Sequence, residues 1–508
     1  MSSLGGLQAR NDSFVARLDR HWRLLLAILI VVSVSVLVVQ ARGKALWHDE
    51  IYTILGARLS PVTLWRASLD GMDLSPPLNT IATRLVRAVA GEGPIASRLP
   101  PLAGFITAIA VVFLVVRRKS NVVAAVAAAL MLCLTPAWKY AIEARGYGLA
   151  VGLFALALYG WTEAARGHRV TRHLTLMGVC LAAGVWTHYY FVLAFVPIVA
   201  AEATRQFLAR RLQSGPWAAL ILAIAATLPL ASLARASGSQ RATFWLRQTS
   251  GMADTYAFLV DGLRPYSIAF ALLLGLIAIE LVRRLATRQW PRRMAAADVV
   301  LCLVCLMVPA GGVILGGFTH VFMEKYVLFA AAGLAVAVPL LAWSMLPPEG
   351  FGDWAGAAIV AVLFGLLASR AIADRHPLTN PLASRPALAD MLKGSFPFAM
   401  TGGVAYLEMW YYASEETRAR AVYLADPLGQ RRDTGSDTAD RNYLALARWS
   451  PVPAVPVSEF VKTHKRFWLY AFDSNWAEKT LRDWGATLTM WGKDSPAAGI
   501  LYEVRMPE

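Results

Sequence analysis

The chain is dominated by apolar runs that are each long enough to cross the roughly 30 Å hydrocarbon core of a bilayer as a helix. The sequence contains about eleven of them, near residues 24–41, 99–116, 121–138, 146–163, 174–190, 191–209, 216–234, 265–282, 298–317, 326–345 and 354–370. Of the 508 residues, 57% are hydrophobic and 16% are charged, a balance that is rare in water-soluble proteins. The sequence therefore predicts a polytopic α-helical membrane protein.

The net charge of +16 comes largely from basic residues between the apolar runs. They concentrate in four short segments on one side of the predicted membrane, at 117–119, 166–172, 205–211 and 283–293. The positive-inside rule makes this side cytoplasmic, together with the N-terminal segment 1–23. We therefore predict a multi-pass protein of the cell (inner) membrane with membrane lipids as partners, and we expect no nucleic-acid partner.

An odd number of spans places the first long loop, 42–98, and all residues after 370 on the extracytoplasmic side. Residues 24–370 are predicted to form the transmembrane domain, and residues 371–508 a small α/β domain. In this second part a helix is expected at 475–484 and a mobile loop at 429–441, where charged and small polar residues are dense. Five strands are expected, at 404–409, 420–425, 467–472, 486–491 and 499–504.

Two adjacent carboxylates, Asp49 and Glu50, follow the first apolar run and the residues Trp47 and His48. An acidic pair at a membrane boundary suggests a functional site, because an unpaired carboxylate near hydrocarbon is costly. The simpler alternative is a solvated helix end. Neighbouring side chains point about 100° apart on a helix, so one carboxylate is expected to be a general base and the other an orienting group. We favour Asp49 as the base, and the choice between the two remains open.

Polar residues recur in the predicted outer loops, whereas the inner loops carry little besides basic residues. Cations suit a phosphate leaving group, and aromatic rings suit a sugar face and an isoprenoid tail. With a carboxylate to take a proton, this set favours displacement of phosphate by a hydroxyl, and a single base implies inversion. The molecule that carries the sugar and the phosphate leaving group is the donor. The candidate residues for binding it are Arg58, Arg98, Glu143, Arg145, Tyr147, His188, Tyr189, Arg264, Lys325 and Tyr326.

Simpler structural roles remain open for several of these residues. Glu143 and Arg145 would form a local ion pair at a helix end, and His188 with its neighbours would belong to an interfacial aromatic belt. Arg98 would anchor the second span. The cations Arg235, Arg241 and Arg247 are typical of a solvated amphipathic loop.

Metal and redox chemistry receive little support from the sequence. All four cysteines lie in apolar runs, so Cys302 and Cys305 are predicted to be lipid-facing or packed side chains rather than a metal or redox pair. His48, Asp49 and Glu50 are too close in sequence to coordinate one metal together. We expect no cofactor, and the residues leave a requirement for a divalent metal open.

Five short motifs follow one another along the chain: Leu46-Trp47-x-Asp49-Glu50, Pro76-Pro77-Leu78, Arg98-Leu99-Pro100, Glu143-Ala144-Arg145-Gly146-Tyr147 and Thr187-His188-Tyr189-Tyr190. In this order they resemble the bacterial glycosyltransferase family 39 proteins. These belong to the C-type glycosyltransferase superfamily, with the protein O-mannosyltransferases and the lipid A aminoarabinose transferases. The resemblance covers about residues 40–345.

The resemblance implies a C-type glycosyltransferase fold and an enzyme that moves a sugar from a polyprenyl-phosphate carrier to an acceptor. That acceptor would be a cell-envelope glycan, lipid or protein at the outer face, and no tightly bound metal would be needed. The resemblance maps the catalytic acidic pair onto Asp49 and Glu50. It maps an acidic–basic–aromatic motif onto Glu143, Arg145 and Tyr147.

Two departures from the family pattern stand out. A late Arg-Tyr pair of the family falls on Lys325 and Tyr326, and lysine keeps the charge but gives up bidentate geometry. In the first outer loop, Ser75 and Asn79 stand where relatives often have histidine and tyrosine. This second departure concerns acceptor or metal binding. The residues assigned to the acceptor or to shaping of this loop are Trp47, His48, Pro76, Pro77 and Asn79.

Two other functions use the same charges. A transporter or flippase of a lipid-linked sugar would bind and move its substrate, but transporters place ionisable groups near mid-bilayer and use broken helices. The predicted spans here are nearly uncharged at their centres. A ligase acting on diphosphate-linked glycans is the third hypothesis.

Overall fold

The structure is a computed structural model, and it describes residues 18–238, 250–266, 294–345, 351–373, 385–394, 396–472, 476–494 and 499–508, with scattered positions in 275–287. Two compact units are present. Unit 1 comprises residues 1–41, 86–229 and 248–375, and unit 2 comprises residues 42–85, 230–247 and 376–508. Residues 1–17, Arg241, Arg247 and almost all of the predicted span 265–282 lie outside the described residues.

Unit 1 is helical throughout its described residues. Its α-helices are Trp22–Gly43, Pro94–Lys119, Val122–Leu134, Ala137–Tyr140, Tyr147–Ala165, Val170–Thr187, Phe195–Ala209, Ser214–Ala225, Met252–Leu259, Ala296–Thr319, Ala330–Met345 and Phe351–Ala373. Three 3-10 segments, Tyr189–Ala194, Asp261–Tyr266 and Glu324–Val327, stand between them. The helix Leu78–Ala90 includes residues of both units.

Several helices are long and apolar enough to cross a membrane. There are 5 in the described residues, or 6 if the bent pair Ser214–Ala225 and Leu230–Gly238 is one span. Three further apolar helices are shorter: Val122–Leu134, Ala330–Met345 and Val360–Ile372. Every predicted run apart from 265–282 contains a helix. The prediction of a polytopic helical membrane protein is therefore confirmed, although several spans are shorter than expected.

The helices Pro94–Lys119 and Tyr147–Ala165 meet backbone to backbone through glycines. A Cβ on Gly104 would lie 2.5 Å from the Cα of Leu149, and a Cβ on Gly152 would lie 2.3 Å from the carbonyl oxygen of Gly104. Small residues allow such close packing in an apolar medium, where burial of oily side chains gives little driving force. This close crossing fixes the position of the helix Tyr147–Ala165 relative to the helix Pro94–Lys119.

Several buried polar side chains of unit 1 bind the backbone or other side chains. Arg98 is fully buried and its Nη1 donates to the carbonyl of Ala41 at 2.6 Å. Arg370 Nη1 donates at 2.6 Å to the carbonyl of Leu134, where a helix ends. The Arg98 contact is the anchoring role that the sequence left open. The cysteines Cys133, Cys180, Cys302 and Cys305 are buried free thiols, so Cys302 and Cys305 are packed rather than lipid-facing.

Unit 2 contains a mixed six-stranded sheet. Its strands are β1 (Phe398–Met400), β2 (Ala421–Ala425), β3 (Ala454–Pro456), β4 (Arg466–Phe472), β5 (Thr487–Lys493) and β6 (Gly499–Arg505). The order is β3-β2-β1-β4-β6-β5, with β3, β2, β1 and β4 mutually parallel and β6 antiparallel to both β4 and β5. Successive residues of β1 and β2 enter two different apolar cores, so both faces of the sheet are covered.

The helices of unit 2 come from three separate parts of the chain. They are His48–Ala57, Pro61–Leu69, Leu230–Gly238, Pro386–Leu392, Gly403–Tyr412, Glu415–Arg420, Pro427–Thr434, Thr438–Trp449, Val457–Thr463 and Trp476–Asp483. Ser60 begins the second of these by accepting a hydrogen bond from Thr63 N at 3.1 Å, ahead of Pro61. The α/β architecture predicted for the C-terminal region is confirmed.

Two expectations for this region were wrong in detail, and two strands were missed. Residues 404–409 form part of the helix Gly403–Tyr412 and not a strand. The segment 429–441, expected as a loop, lies in the helices Pro427–Thr434 and Thr438–Trp449, separated by Gly435 in the left-handed conformation. The short strands β1 and β3 were not expected.

The segment 42–85, which follows the first long apolar helix, shares a core with the C-terminal region. Leu46, Ile51 and Leu55 belong to the same buried cluster as Phe398 and Leu407. Leu46 N also donates to the hydroxyl of Tyr412 at 2.6 Å, and Trp449 Nε1 donates to Asp70 at 3.0 Å. The sequence assigned residues 42–98 to the transmembrane domain, whereas residues 42–85 form one compact unit with residues 376–508.

The carboxyl group of Asp440 is held in an apolar setting beside the sheet. Its Oδ1 accepts from the Tyr423 hydroxyl and its Oδ2 from the Asp426 amide, both at 2.7 Å. Burial raises the pKa of Asp440 to about 7, against the lowering effect of these hydrogen bonds and with help from the charges of Asp426 and Asp437. The folded protein therefore holds a proton at Asp440 that the unfolded chain releases at lower pH.

Gly152→Ala is expected to destabilise the bundle, because its methyl group would overlap the carbonyl oxygen of Gly104. Overpacking of this kind costs about 1–3 kcal/mol, so the melting temperature in detergent should fall. The matched control is Gly365→Ala, where a Cβ would meet nothing within 4 Å. Alanine favours helix more than glycine, so this control should melt at or above the wild-type temperature. Equal melting of the two variants would contradict the tight crossing.

Asp440→Asn is expected to remove a pH dependence of local stability. An unfolded aspartate ionises near pH 3.9, whereas Asp440 keeps its proton up to about pH 7. The folded state thus binds more protons in this window, so stability falls as pH rises, by at most about 4 kcal/mol. Hydrogen exchange of residues 421–449, corrected for intrinsic rates, should show this loss in the wild type and not in Asp440→Asn.

The exposed Asp483 provides the control for the pH experiment, because Asp483→Asn removes a carboxyl from a solvated helix surface. This variant should keep the wild-type pH profile. A profile that is identical in the wild type and in Asp440→Asn would contradict the raised pKa.

Candidate functional site

The predicted site residues are divided between the two units, and each group is described by itself. Unit 2 holds the acidic pair and the loop-shaping residues: Trp47, His48, Asp49, Glu50, Arg58, Pro76, Pro77 and Asn79. Unit 1 holds the remaining candidates: Arg98, Glu143, Arg145, Tyr147, His188, Tyr189, Arg264, Lys325 and Tyr326.

Asp49 lies in the first turn of the helix His48–Ala57 and remains accessible, with 27% of its side chain exposed. Its Oδ1 lies 3.1 Å from Nδ1 of His48. An ionised carboxylate can only accept, so His48 Nδ1 carries the hydrogen in this contact. Asp49 is therefore an oriented carboxylate that solvent or a substrate can reach.

Glu50, its neighbour, is fully buried. Its Oε2 accepts from the backbone N–H of Trp47 at 3.3 Å, which satisfies a donor at the start of the helix. The two carboxylates thus have different surroundings. Glu50 fixes the beginning of the helix, whereas Asp49 presents its oxygens at the surface of unit 2.

Two residues that the sequence did not single out lie beside His48. The ring of His48 lies 5.0 Å from that of Tyr52 and 6.2 Å from that of Tyr443. Burial, followed by the charges of Asp73 and Asp49, raises the pKa of Tyr52, so its phenol stays protonated. The spacing of His48 and Tyr52, one helical turn apart, was the available signal for Tyr52. Nothing local in the sequence indicated Tyr443.

The other loop residues of unit 2 shape the helices around this pair. Pro76 and Pro77 are buried just before the helix Leu78–Ala90, and Asn79 is buried in its first turn. The side chain of Arg58 is exposed, and its carbonyl accepts from Nη1 of Arg84 at 3.1 Å. The carbonyls of Ala57 and Leu59 accept from the same nitrogen, which closes the C-terminal end of the helix His48–Ala57.

In unit 1, three separate segments of the chain bring aromatic rings together. The ring of His188 lies 5.7 Å from that of Tyr147, 5.0 Å from that of Tyr326 and 6.1 Å from that of Tyr190. Tyr190 is held by a 2.5 Å hydrogen bond from its hydroxyl to the carbonyl of Val321. We call Tyr147, His188, Tyr190 and Tyr326, together with the cations Arg145 and Lys325, the cation–aromatic cluster.

Two cations complete the cluster. Lys325 Nζ lies 5.7 Å from the centre of the Tyr147 ring. Burial, followed by the charges of Arg145 and Lys325, lowers the pKa of His188, so its ring is neutral. Nδ1 of His188 accepts from the Tyr190 amide at 3.3 Å, so the proton of the neutral ring is on Nε2. Charged and polar donors over aromatic faces are a suitable setting for an anion with an apolar tail.

The remaining unit 1 candidates have other surroundings. Arg98 is buried against the first helix, and Arg264 is exposed and forms a local ion pair of 3.6 Å with Asp261. Glu143 is buried in the turn before Tyr147, where its carbonyl accepts from Arg145 N at 2.6 Å. Tyr189 begins the 3-10 segment beside His188 and is partly buried.

Two aromatic residues that the sequence did not single out, Tyr140 and Phe258, lie beside the cation–aromatic cluster. The ring of Tyr140 lies 5.1 Å from that of Tyr147 and 6.3 Å from that of Phe258. Tyr140 stands seven positions before Tyr147 in a turn rich in polar residues, and that was the available signal. Phe258 is distant in sequence and carried no local signal.

A known protein family matches part of this chain. The family described as dolichyl-phosphate-mannose-protein mannosyltransferase matches residues 75–233, which include Pro76, Arg98, Glu143, Arg145 and His188. Among curated proteins, no sequence matches this chain significantly.

Two solved structures share the fold over nearly their whole length. The crystal structure of ArnT from Cupriavidus metallidurans in the apo state has a TM-score of 0.58 at 13% identity, and the match covers 94% of this chain and 97% of that chain. ArnT from the same organism bound to undecaprenyl phosphate has a TM-score of 0.56 at 12% identity, and covers 94% and 98%. The family match over residues 75–233 and this shared fold support the assignment of the chain to the C-type glycosyltransferase superfamily, as its motifs predict.

Proposed function

We propose that this protein is an inverting glycosyltransferase that moves a sugar from a polyprenyl-phosphate carrier to a cell-envelope acceptor at the outer face of the cell membrane. The observation that carries the proposal is the cation–aromatic cluster, which assembles from three segments that are far apart in the sequence. A tightly bound metal is not part of the proposal.

The cluster supports a lipid-linked phosphate as the donor. Arg145 and Lys325 supply positive charge for a phosphate, and Nε2 of His188 supplies a neutral donor. The rings of Tyr147 and Tyr326 supply apolar faces. The similar ArnT structure that contains undecaprenyl phosphate agrees in chemical class with this ligand.

Asp49 is proposed as the general base. It takes the proton of the acceptor hydroxyl as the hydroxyl oxygen bonds to the anomeric carbon. The bond from that carbon to the phosphate oxygen breaks, and polyprenyl phosphate leaves with the electron pair. His48 orients the carboxylate through the 3.1 Å contact. The exposure of Asp49 and the burial of Glu50 support this choice of base.

Inversion follows from this reaction scheme, whereas the location at the outer face is inferred from the distribution of basic residues. One displacement without a covalent intermediate inverts the anomeric configuration. The basic residues at the end of the helix Pro94–Lys119 favour the cytoplasm for that end. The end of the helix Tyr147–Ala165 that carries Tyr147 would then face outward.

Asp49→Asn is expected to lower the turnover number by about 10²–10⁴-fold, the usual contribution of a general base. Binding of the donor should change little, because the carbonyl oxygen and overall shape are kept. The assay uses purified protein with a labelled polyprenyl-phosphate sugar and cell-envelope extract, and the anomeric configuration of the product is determined by NMR.

Asp70→Asn is the matched control for this experiment. It removes an exposed carboxylate of the same loop, and the amide oxygen can still accept from Trp449 Nε1. This control should transfer at the wild-type rate. If Asp49→Asn folds and transfers as fast as the wild type, Asp49 is not the base. If the sugar crosses the membrane while no carrier phosphate is released, the protein is a transporter.

Lys325→Gln is expected to weaken donor binding by about tenfold or more, since a hydrogen bond to a charged group contributes about 1.5–3 kcal/mol. Lys325→Arg should retain most of the affinity because it keeps the charge. The measurement is KM for the lipid-linked donor together with competition by polyprenyl phosphate.

Arg235→Gln is the control for the loss of a cation, because Arg235 is exposed at the end of the helix Leu230–Gly238 in unit 2. It should leave KM unchanged. An unchanged KM in Lys325→Gln would exclude Lys325 from the donor site.

A further inference from the structure

A second cluster of polar residues lies at the other end of the helix Tyr147–Ala165, away from Tyr147. Glu163 stands in its last turn, His168 in the following turn and His173 in the first turn of Val170–Thr187. One potential ligand atom from each residue lies within 4.8 Å of those from the other two. We propose that these three side chains form a binding site for a divalent metal of the zinc class, independent of the sugar-transfer site.

The ligand types suit this metal. A carboxylate and two imidazoles are common Zn²⁺ ligands, and three protein ligands leave a fourth position for water. Tetrahedral bonds of about 2.0–2.2 Å put the ligands roughly 3.3–3.5 Å apart, somewhat closer than they lie here. His168 is exposed and stands in the turn, so it can make the small movement required.

Glu163 provides a buried oxygen that is available to a metal. The residue is 4% exposed, and its Oε1 receives no hydrogen bond from any group in the described part of the chain. Its Oε2 forms an ion pair with Arg118 and lies 3.4 Å from Nδ1 of His168. A carboxylate oxygen this buried without a donor is costly, and a metal ion would satisfy it.

His173 is already oriented as a ligand. Its Nδ1 lies 2.7 Å from the carbonyl oxygen of His168. A carbonyl can only accept, so Nδ1 carries the hydrogen and Nε2 keeps its lone pair. A backbone carbonyl in this position is the usual outer partner of a metal-binding histidine, because it fixes the tautomer and the ring.

The nearby arginines oppose metal binding, because their positive charge repels a cation. Arg118 already neutralises one oxygen of Glu163, and Arg166 Nη1 lies 3.9 Å from the other. Their charge lowers the affinity for a cation, but Arg166 is half exposed and free to turn toward solvent. With Arg118 on Oε2, Oε1 remains the metal ligand.

A metal here would stabilise a strained connection. Gly167 and Arg169 have φ values of 77° and 40°, and the left-handed region is unfavourable for arginine. The three ligands stand on both sides of this turn. Bound metal would therefore join the end of one membrane helix to the start of the next.

The test uses the full-length protein carrying a purification tag without histidines. After removal of metals, Zn²⁺ binding is measured by equilibrium dialysis with elemental analysis, and Co²⁺ binding by the intensity of its visible absorption. The wild type should bind one Zn²⁺ per chain, give the strong absorption of tetrahedral Co²⁺, and melt at a higher temperature when Zn²⁺ is added.

His168→Ala removes an exposed ligand without opening the core, and it should weaken Zn²⁺ binding by at least about tenfold and abolish the thermal shift. His21→Ala removes another exposed histidine of unit 1 and should behave as the wild type. Glu163→Gln should lose binding as well. The proposal is overturned if the wild type binds no Zn²⁺, or if His168→Ala binds it as tightly as the wild type. It is also overturned if His21→Ala loses binding equally.

Discussion

Polar groups inside an apolar helical bundle must find partners within the protein, because water is not there to supply them. In unit 1 this constraint accounts for two of the buried polar contacts. Arg98 binds the carbonyl of Ala41, and Trp138 Nε1 donates to Gln40 at 2.9 Å. Side chains that do not serve the bundle in this way gather at the ends of helices, and there they form the cation–aromatic cluster at one end and the Glu163 cluster at the other.

The different surroundings of Asp49 and Glu50 illustrate how much of a site can be predicted from the sequence. Adjacency alone implies that the two carboxylates point in different directions. It does not say which of them is buried, because that depends on what packs against the helix. Tyr443, nearly four hundred residues away, contacts the face that includes His48 and Tyr52. Three sequence motifs indicated that Tyr147, His188 and Tyr326 belong to one site. Phe258 contacts the neighbouring Tyr140 through tertiary packing alone, which no motif indicated.

Long apolar helices and the strands β2, β4, β5 and β6 were predictable, because their length and apolar pattern are distinctive. The prediction of a strand at 404–409 was wrong, since a buried helix and a buried strand have the same continuous apolar run. Residues 429–441 look like a loop by composition. They form helices because Gly435 permits the turn between them, and because Asp440 binds Tyr423 and Asp426 at a distance in sequence. No local pattern contains that information.

The shared core of unit 2 gives the C-terminal region a part in any reaction that uses Asp49. The helix His48–Ala57 buries Ile51, Ile54 and Leu55 against residues of the C-terminal region, so its orientation depends on that region. Burial raises the pKa of Glu408, against the lowering effects of Arg385, 3.5 Å away, and of a hydrogen bond from the backbone of His48. A carboxylate that acts as a base must be held in position to within about 0.5 Å. The C-terminal region is therefore a scaffold for the acidic pair.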